Sequence, residues 1–302
     1  MKSDLESAHA PSTRKAYRKV KRQFKIFALR HGRRHLPASA KTVGLYITHL
    51  RHSAFLKSSS IATHLSAIAY YHSVNGYKNP CKSTLIDSLL LSYKKKDKPP
   101  AVRKALTADI LEELVTSIRA REVGYCRVLY QTVFIFMYQG LLRSSEVSWS
   151  KEAPHNLESR QVTFKKLKGK PHICLAFESY KHSKPNPPPL FMKARPESTI
   201  LCPVTAFKAY NKLRVKARDR SKDFFFKHSN GKCLLRKDLA EMLKFHLAIL
   251  GYNPAHYDTH SLRIGKTTDM GKEGYSNSQI ALAGRWASKA YEKYLKPEYL
   301  VV

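Results

Sequence analysis

Acidic residues are scarce in this sequence. Its 302 residues include 22 Asp+Glu against 55 Lys+Arg, a formal net charge of +33. Charge of that size works against the compact state through self-repulsion, so it implies a polyanionic partner. Long apolar runs are also missing. The longest, residues 133–138 (VFIFMY), falls far short of a membrane span. The opening MKSDLESAHAPSTRK holds no apolar h-region, so no signal peptide is expected. Cysteine is sparse: Cys81, Cys126, Cys174, Cys202 and Cys233 are odd in number, widely spaced and never in C-x-x-C. That pattern excludes a disulfide framework and a zinc knuckle. Two H-x-x-x-H pairs, His31/His35 and His256/His260, have helical zinc-ligand spacing, but no third ligand stands out beside either.

What is present can fold. Hydrophobic content of 43% and aromatic content of 11% exclude a disordered basic tail. The length allows two domains. A nucleic-acid binder is the first reading, with membrane-surface binding its weaker competitor.

Residues 1–92 read as a helical domain. Ser12-Thr13 can cap a helix whose Tyr17, Val20, Phe24, Phe27 and Leu29 roughly follow helical spacing. Its other face carries Arg14, Lys15, Arg18, Lys19, Lys21, Arg22 and Lys25, which suits a DNA backbone. A second helix is expected over 40–51, a third capped within 58–60 and closed by Asn75-Gly76, and a fourth over 82–93. Residues 93–104 (YKKKDKPPAVRK) combine Lys94, Lys95 and Lys96 with Pro99-Pro100 and read as an extended basic linker.

Residues 105–302 read as α+β. Thr107 caps a helix with acidic residues in its first turn. A buried helix over 126–138 ends at Gly140. Strands are expected over 161–165, 172–179 and 190–194. Helices follow from Pro203, over 235–250, 260–272, 276–284 and 287–295. The whole chain is therefore mainly α with a small β-sheet.

Three motifs in this half carry chemistry. In Gly140-Leu-Leu-Arg143-Ser-Ser-Glu146, an arginine lies between a helix end and a helix start, a junction suited to a phosphate. In His260-Ser-Leu-Arg263, the two polar residues share one helical face, and the histidine can move a proton near neutral pH. In residues 283–296 (AGRWASKAYEKYLK), a glycine turn with arginine and tryptophan leads to tyrosines. Tyrosine beside arginines can act as a nucleophile.

The ordered set Arg…Lys…His-x-x-Arg…Arg-Trp…Tyr resembles the tyrosine recombinase (phage integrase) superfamily over nearly the whole chain. Tyr180-Lys-His-Ser-Lys184, Leu201-Cys-Pro-Val204, His260-Ser-Leu-Arg-Ile-Gly265 and Gly284-Arg-Trp286 are similar to eukaryotic mobile-element recombinases of the DIRS, Ngaro and Crypton kinds. The resemblance implies a helical core-binding domain followed by a catalytic domain. It matches Arg143 to the first catalytic arginine and Glu146 to the acidic residue that holds it. One extra residue separates Gly140 from Arg143, a departure from the family's Gly-Leu-Arg-x-x-Glu pattern. Lys181 matches the hairpin lysine, with Lys184 as rival. His260 and Arg263 match the H-x-x-R pair. Trp286 matches the following His/Trp position, with Arg285 as second choice on spacing. Tyr294 matches the nucleophile, while Tyr291 is three residues early and suits packing.

The resemblance further implies cleavage through a 3′-phosphotyrosyl link to double-stranded DNA, assembly as a tetramer on two sites, and a nuclear location for a eukaryotic chain, the cytoplasm or nucleoid otherwise. The bond energy is kept in that link, so no cofactor or metal is expected. The lack of a P-loop or Asp/Glu cluster agrees. Two alternatives remain open at this point: a type IB topoisomerase-like relaxing enzyme, and a domesticated non-catalytic DNA-binding protein. The tail 297–302 is expected to dock on a neighbouring subunit.

Overall fold

The computed structural model describes residues 8–99, 103–149, 156–180, 183, 186–214, 223–286 and 291–292. The chain divides into two compact units, residues 1–100 and 101–302.

The first unit is four helices: α1 (Pro11–Arg30), α2 (Ala40–His52), α3 (Ser58–Val74) and α4 (Thr84–Lys96). α1 has no acidic residue. It buries Val20, Phe24, Phe27 and Ala28 on one side and exposes Lys15, Arg18, Lys19, Lys21, Arg22 and Lys25 on the other, while Arg14 is half-buried. The apolar side meets Val43, Tyr46, Ile47 and Leu50 of α2 and Ile61, Leu65 and Ile68 of α3. Tyr46 stacks at 5.0 Å from Phe24 and 5.1 Å from Phe27.

Two expected caps are corrected. α1 starts at Pro11 after Ala10, without a side-chain cap, because proline's fixed φ suits a first turn. α3 is preceded by Lys57, and its Ser58 N–H donates to the Asp97 carboxylate at 2.8 Å instead. Asp97 also takes Arg51 at 2.5 Å. The lysine run is corrected as well. Lys94–Lys96 form the last turn of α4 rather than an extended path, and cations there complement the helix dipole. Residues 104 and 106 in turn bond within the second unit, to the carbonyls of His256 and Ser261.

The second unit is built around α6 (Gly124–Gln139), in which every residue from Val128 to Tyr138 is buried. α5 (Ala108–Arg121), α8 (Pro203–Leu213) and α10 (Ser261–Lys272) pack against it, and α9 (Arg236–Ile249) packs on α5. The short α7 (Ser144–Val147) follows α6, and α11 (Asn277–Gly284) follows α10. Thr107 precedes α5 but does not cap it; the Ala108 N–H donates to Asp269 on α10 at 2.8 Å. Gly265 on α10 permits a close approach of backbone to backbone. A Cβ there would lie 1.7 Å from the Leu106 carbonyl oxygen.

The sheet is antiparallel, ordered β1 (Val162–Leu167), β2 (Lys170–Leu175), β3 (Leu190–Lys193). Ile173 pairs with Phe164 on one side and Met192 on the other, and Ile173, Leu175 and Met192 enter the core. Lys168 and Gly169 both have positive φ, the geometry of a tight hairpin between β1 and β2. β2 is shorter than expected. Both of its ladders end at Leu175, opposite Val162 and Leu190, so residues 176–179 leave the sheet.

Neither histidine pair shares a helix, as the zinc-ligand spacing would require. His31 follows the end of α1 with His35 in the loop beyond, and His256 sits in a 3-10 turn with His260 ahead of α10. No helix among the described residues is long and apolar enough to cross a membrane.

Candidate active site

The site forms where three chain reversals meet: α6 into α7, the start of α10, and the end of α11. Leu141 turns the chain after α6 with a φ of 46°. That places Arg143 immediately before α7. Its N–H donates to Glu146 at 2.9 Å, and its Nη1 reaches the same carboxylate at 3.2 Å. The N–H at this junction is therefore taken by Glu146 rather than free for an anion.

Glu146 is 1% exposed and takes a second arginine, Arg285, whose Nη2 lies 2.8 Å from Oε2. Burial alone would raise the Glu146 pKa. The guanidinium groups of Arg285 and Arg143 outweigh it and hold the carboxyl below its ordinary range. One buried carboxylate thus fixes two guanidinium groups.

Arg263 is 1% exposed. Its Nη1 donates to the Leu141 carbonyl, and its Nη2 donates to the Gly284 carbonyl at 3.0 Å. Arg285 Nη2 also approaches the Leu141 carbonyl, at 3.4 Å. The Leu141 carbonyl thus accepts from two arginines, each more than a hundred positions away in sequence.

His260 precedes α10, and its N–H donates to Asp258 at 2.7 Å. Its pKa is pushed down to about 4 by burial first and by Arg263 next, with Arg103 and Arg143 adding and Asp258 opposing. The imidazole is neutral at pH 7, able to accept a proton.

Arg285 closes α11 in the left-handed region, at φ 56° and ψ 47°. Its guanidinium carbon lies 4.9 Å from the ring centres of both Phe177 and Tyr180. Trp286 folds back so that its ring covers the α-carbon of Gly284, where a Cβ would lie 1.7 Å from the indole. The guanidinium of Arg263 sits 4.7 Å from the Trp286 ring. Trp286 and buried Tyr291 belong to a small apolar cluster with Leu141, Met270 and Ile280.

The structure therefore brings together Arg143, Glu146, His260, Arg263, Arg285 and Trp286. Lys181, Lys184, Tyr294 and the tail 297–302 lie outside the described residues. Among the residues expected to meet DNA, Lys15, Arg18, Lys19, Arg22, Lys94, Lys95 and Lys96 are exposed on the first unit, and Arg14 is half-buried. Three participants were not marked in the sequence as site residues: the Leu141 carbonyl, Phe177 and Tyr180. The extra leucine was the one signal for the first. Nothing local signalled the other two.

No family model matches this sequence, and no curated protein matches it. Solved structures do. The chain is similar to the integrase of the Tn1549 transposon in complex with circular intermediate DNA, at 15% identity and a TM-score of 0.54, over 87% of this chain and 82% of that one. A second complex of the same integrase, a variant with transposon right-end DNA, gives 15% identity and 0.57 over 85% and 81%. The site-specific recombinase XerH, bound to a palindromic difH substrate after cleavage, gives 15% identity and 0.60 over 85% of this chain and 66% of that one. The mostly helical chain with its three-stranded antiparallel sheet has the tyrosine recombinase fold.

Proposed function

We propose that this chain is a DNA strand transferase that cuts and rejoins DNA through a 3′-phosphotyrosyl intermediate. The observation that carries the reading is Arg143 held by Glu146 and Arg263 held by the Leu141 carbonyl, with His260 near enough to both arginines to feel their charge, in a fold shared with tyrosine recombinases. Arg143 and Arg263 hold the nonbridging oxygens of the scissile phosphate and offset the charge that grows in the pentavalent transition state. The Tyr294 oxygen attacks phosphorus and its proton passes to neutral His260. The bond from phosphorus to the 5′-oxygen breaks, and Lys181, or its rival Lys184, protonates that oxygen. Attack by a free 5′-hydroxyl reverses the step. No nucleotide or metal enters this chemistry.

The same reading makes double-stranded DNA the partner and four protomers on two sites the working assembly. It places the chain with the DIRS, Ngaro and Crypton kinds of mobile-element recombinase on the motif cues of Leu201-Cys-Pro-Val204, His260-Ser-Leu-Arg-Ile-Gly265 and Gly284-Arg-Trp286. A nuclear location follows from that placement. The helices of the first unit act as the DNA clamp, joined to the catalytic part by the residues that follow Lys96.

The test is to sequence DNA fragments covalently trapped by the protein. The expected result is a defined site in wild-type protein and no adduct with Tyr294→Phe. A Tyr294→Phe adduct at wild-type yield overturns the nucleophile. Relaxation of plasmid lacking any site, without recombinant products, favours the topoisomerase-like reading.

One observation favours a second reading, a non-catalytic DNA-binding protein. Arg263 is fully buried, with its two terminal nitrogens bonded to backbone carbonyls. Binding without an adduct on any DNA would establish that reading.

A further inference from the structure

We propose that the cavity between β3 and α10 of the second unit is a binding site for a mononucleotide, with the phosphate on Lys266, Arg195 and Lys193 and the base against Phe191 or Tyr275. The site is separate from the candidate active site and does not depend on the strand-transferase reading. None of Arg143, His260, Arg263 and Arg285 lines it.

Three observations carry it. First, the cavity has a volume of about 280 Å³, and its walls come from the end of α6, β3 with the residues after it, and α10 with the residues after it. That is close to the lower end of small-ligand pockets, about 300 Å³. Second, it holds a cation without an acid. Lys266 stands one turn beyond Arg263 on α10, half-buried, with Nζ 5.5 Å from the centre of the Tyr138 ring. Among the described residues, no carboxylate bonds to that Nζ. Asp269 accepts instead from the Tyr138 hydroxyl and from the Ala108 N–H at 2.8 Å. Burial pushes the Lys266 pKa down; Glu273 opposes, Arg195 adds, and Asp269 opposes. An ammonium drawn out of water beside a guanidinium leaves a deficit that an anion fills.

Third, the rest of the lining suits the other parts of a nucleotide. Arg195 Nε donates to Glu197 at 3.0 Å, which orients the guanidinium and leaves its two terminal nitrogens for phosphate oxygens. Lys193 and Phe191 are two apart in β3 and share one face of the strand. Phe191 is 40% exposed and Tyr275 45% exposed, so each offers a ring face on which a base can stack. Glu273 is exposed in the same wall and can accept from ribose hydroxyls. Three cations against two carboxylates leave one positive charge in surplus. A lone phosphate would use the cations and leave the rings and Glu273 without a function.

The nucleotide can come from solution or from the end of a DNA strand. The experiment uses the full chain in equilibrium dialysis at about 0.15 M salt, where charges on the rest of the surface are screened beyond ~8 Å. The probes are adenosine 5′-monophosphate, adenosine, inorganic phosphate and a 5′-phosphorylated DNA trinucleotide. Saturable binding of the mononucleotide is expected, with adenosine and inorganic phosphate each at least about tenfold weaker. Lys266→Met keeps the length of the stem and removes only the cation. It should weaken binding at least about tenfold, the lower end for a lost hydrogen bond to a charged group. Arg195→Gln, at a partly exposed position after β3, should act in the same direction. Lys15→Gln with Lys19→Gln, on α1, should leave the affinity unchanged.

A site filled from solution prefers the mononucleotide. A site filled by a strand end binds the trinucleotide at least as tightly, and Lys266→Met weakens that binding as well. No saturable binding of either probe overturns the proposal. So does binding that Lys266→Met and Arg195→Gln both leave unchanged, or that the α1 variant weakens as much as they do. Inorganic phosphate bound as tightly as the mononucleotide overturns it too, because sugar and base would then contribute nothing. Covalent trapping of DNA is not part of the assay, so failure here leaves the strand-transferase reading intact.

Discussion

Glu146→Gln is the substitution that most directly tests the electrostatics of the site. The change keeps the side-chain shape and an oxygen that can accept from the Arg143 N–H. It removes the one negative charge set between Arg143 and Arg285. The carboxylate is 1% exposed, and its partners are 21% and 7% exposed. Arg143 can therefore lean back toward water, but Arg285 cannot. Breaking a buried pair from one side typically costs about 3–5 kcal/mol, because the remaining charge stays desolvated. We take about 4 kcal/mol, which for a unit of this size corresponds to roughly 8–16 °C in Tm. Both tryptophans of the chain, Trp149 and Trp286, lie in residues 101–302, so fluorescence-detected urea unfolding reports on that unit. Adding Arg285→Gln to Glu146→Gln should restore part of the loss, since the stranded charge goes with it. Coupling of about 1–3 kcal/mol is expected for residues in direct contact. A loss below about 1 kcal/mol for Glu146→Gln, with no coupling to Arg285, would refute the picture of one carboxylate fixing two arginines.

Three further outcomes follow from the same structure. Gly265→Ala places a methyl 1.7 Å from the Leu106 carbonyl oxygen. Urea unfolding should show a loss of at least roughly 1–3 kcal/mol, the usual cost of overpacking, and a neutral result would mean that α10 does not approach Leu106 so closely. His260 binds its proton only near pH 4 when folded, whereas the unfolded chain binds it near 6.5. Wild type should therefore lose stability as pH falls from about 7 to 5 more steeply than His260→Gln does, and parallel slopes in pH-dependent unfolding would contradict the burial of this imidazole. Replacing Lys15, Arg18, Lys19 and Arg22 by Gln should lower the slope of log Kd against log salt by up to ~3–4, at ~0.9 for each phosphate no longer neutralised. An unchanged slope in filter-binding titrations would move the DNA grip off α1.

The helices were legible because their apolar residues recur with the helical period. α1 shows this in Val20, Phe24 and Phe27, though Leu29 turns out exposed, and α6 in a segment from Val128 to Tyr138 whose apolar residues are broken only by Gln131 and Thr132. Their ends were less so. Asp97 caps α3 from beyond α4, and Asp269 caps α5 from α10, so the local serines and threonines suited to the role are not used. The expected β2 is too long because alternation continues through Phe177, while its pairing partners stop at Leu175. Phe177 is buried all the same, beside Arg285 rather than in the sheet. The arginines of the site could be named because each sits in a short motif. What holds them could not: Leu141 with Arg263, and Glu146 with Arg285, are contacts between residues more than a hundred positions apart. Short motifs record which groups a reaction needs. Long-range contacts decide how those groups face one another.

The scarcity of acid in this chain has opposite consequences in its two units. On α1 there is no carboxylate at all, so its exposed cations have no acidic neighbour on their own helix. Such charges interact over a Debye length of about 8–10 Å and weaken as ionic strength rises. In the second unit, among the described residues, Arg143 and Arg285 share the single buried carboxylate of Glu146, and Arg285 and Arg263 turn to the Leu141 carbonyl for what further acids would have supplied. A carbonyl carries only a partial charge, so it orients a guanidinium without neutralising it. The site therefore keeps a net positive potential while its side chains stay fixed, which a second buried carboxylate would have cancelled. That is the arrangement a phosphate needs at the moment its own charge increases: donors already in place, and an electrostatic deficit for the substrate to fill.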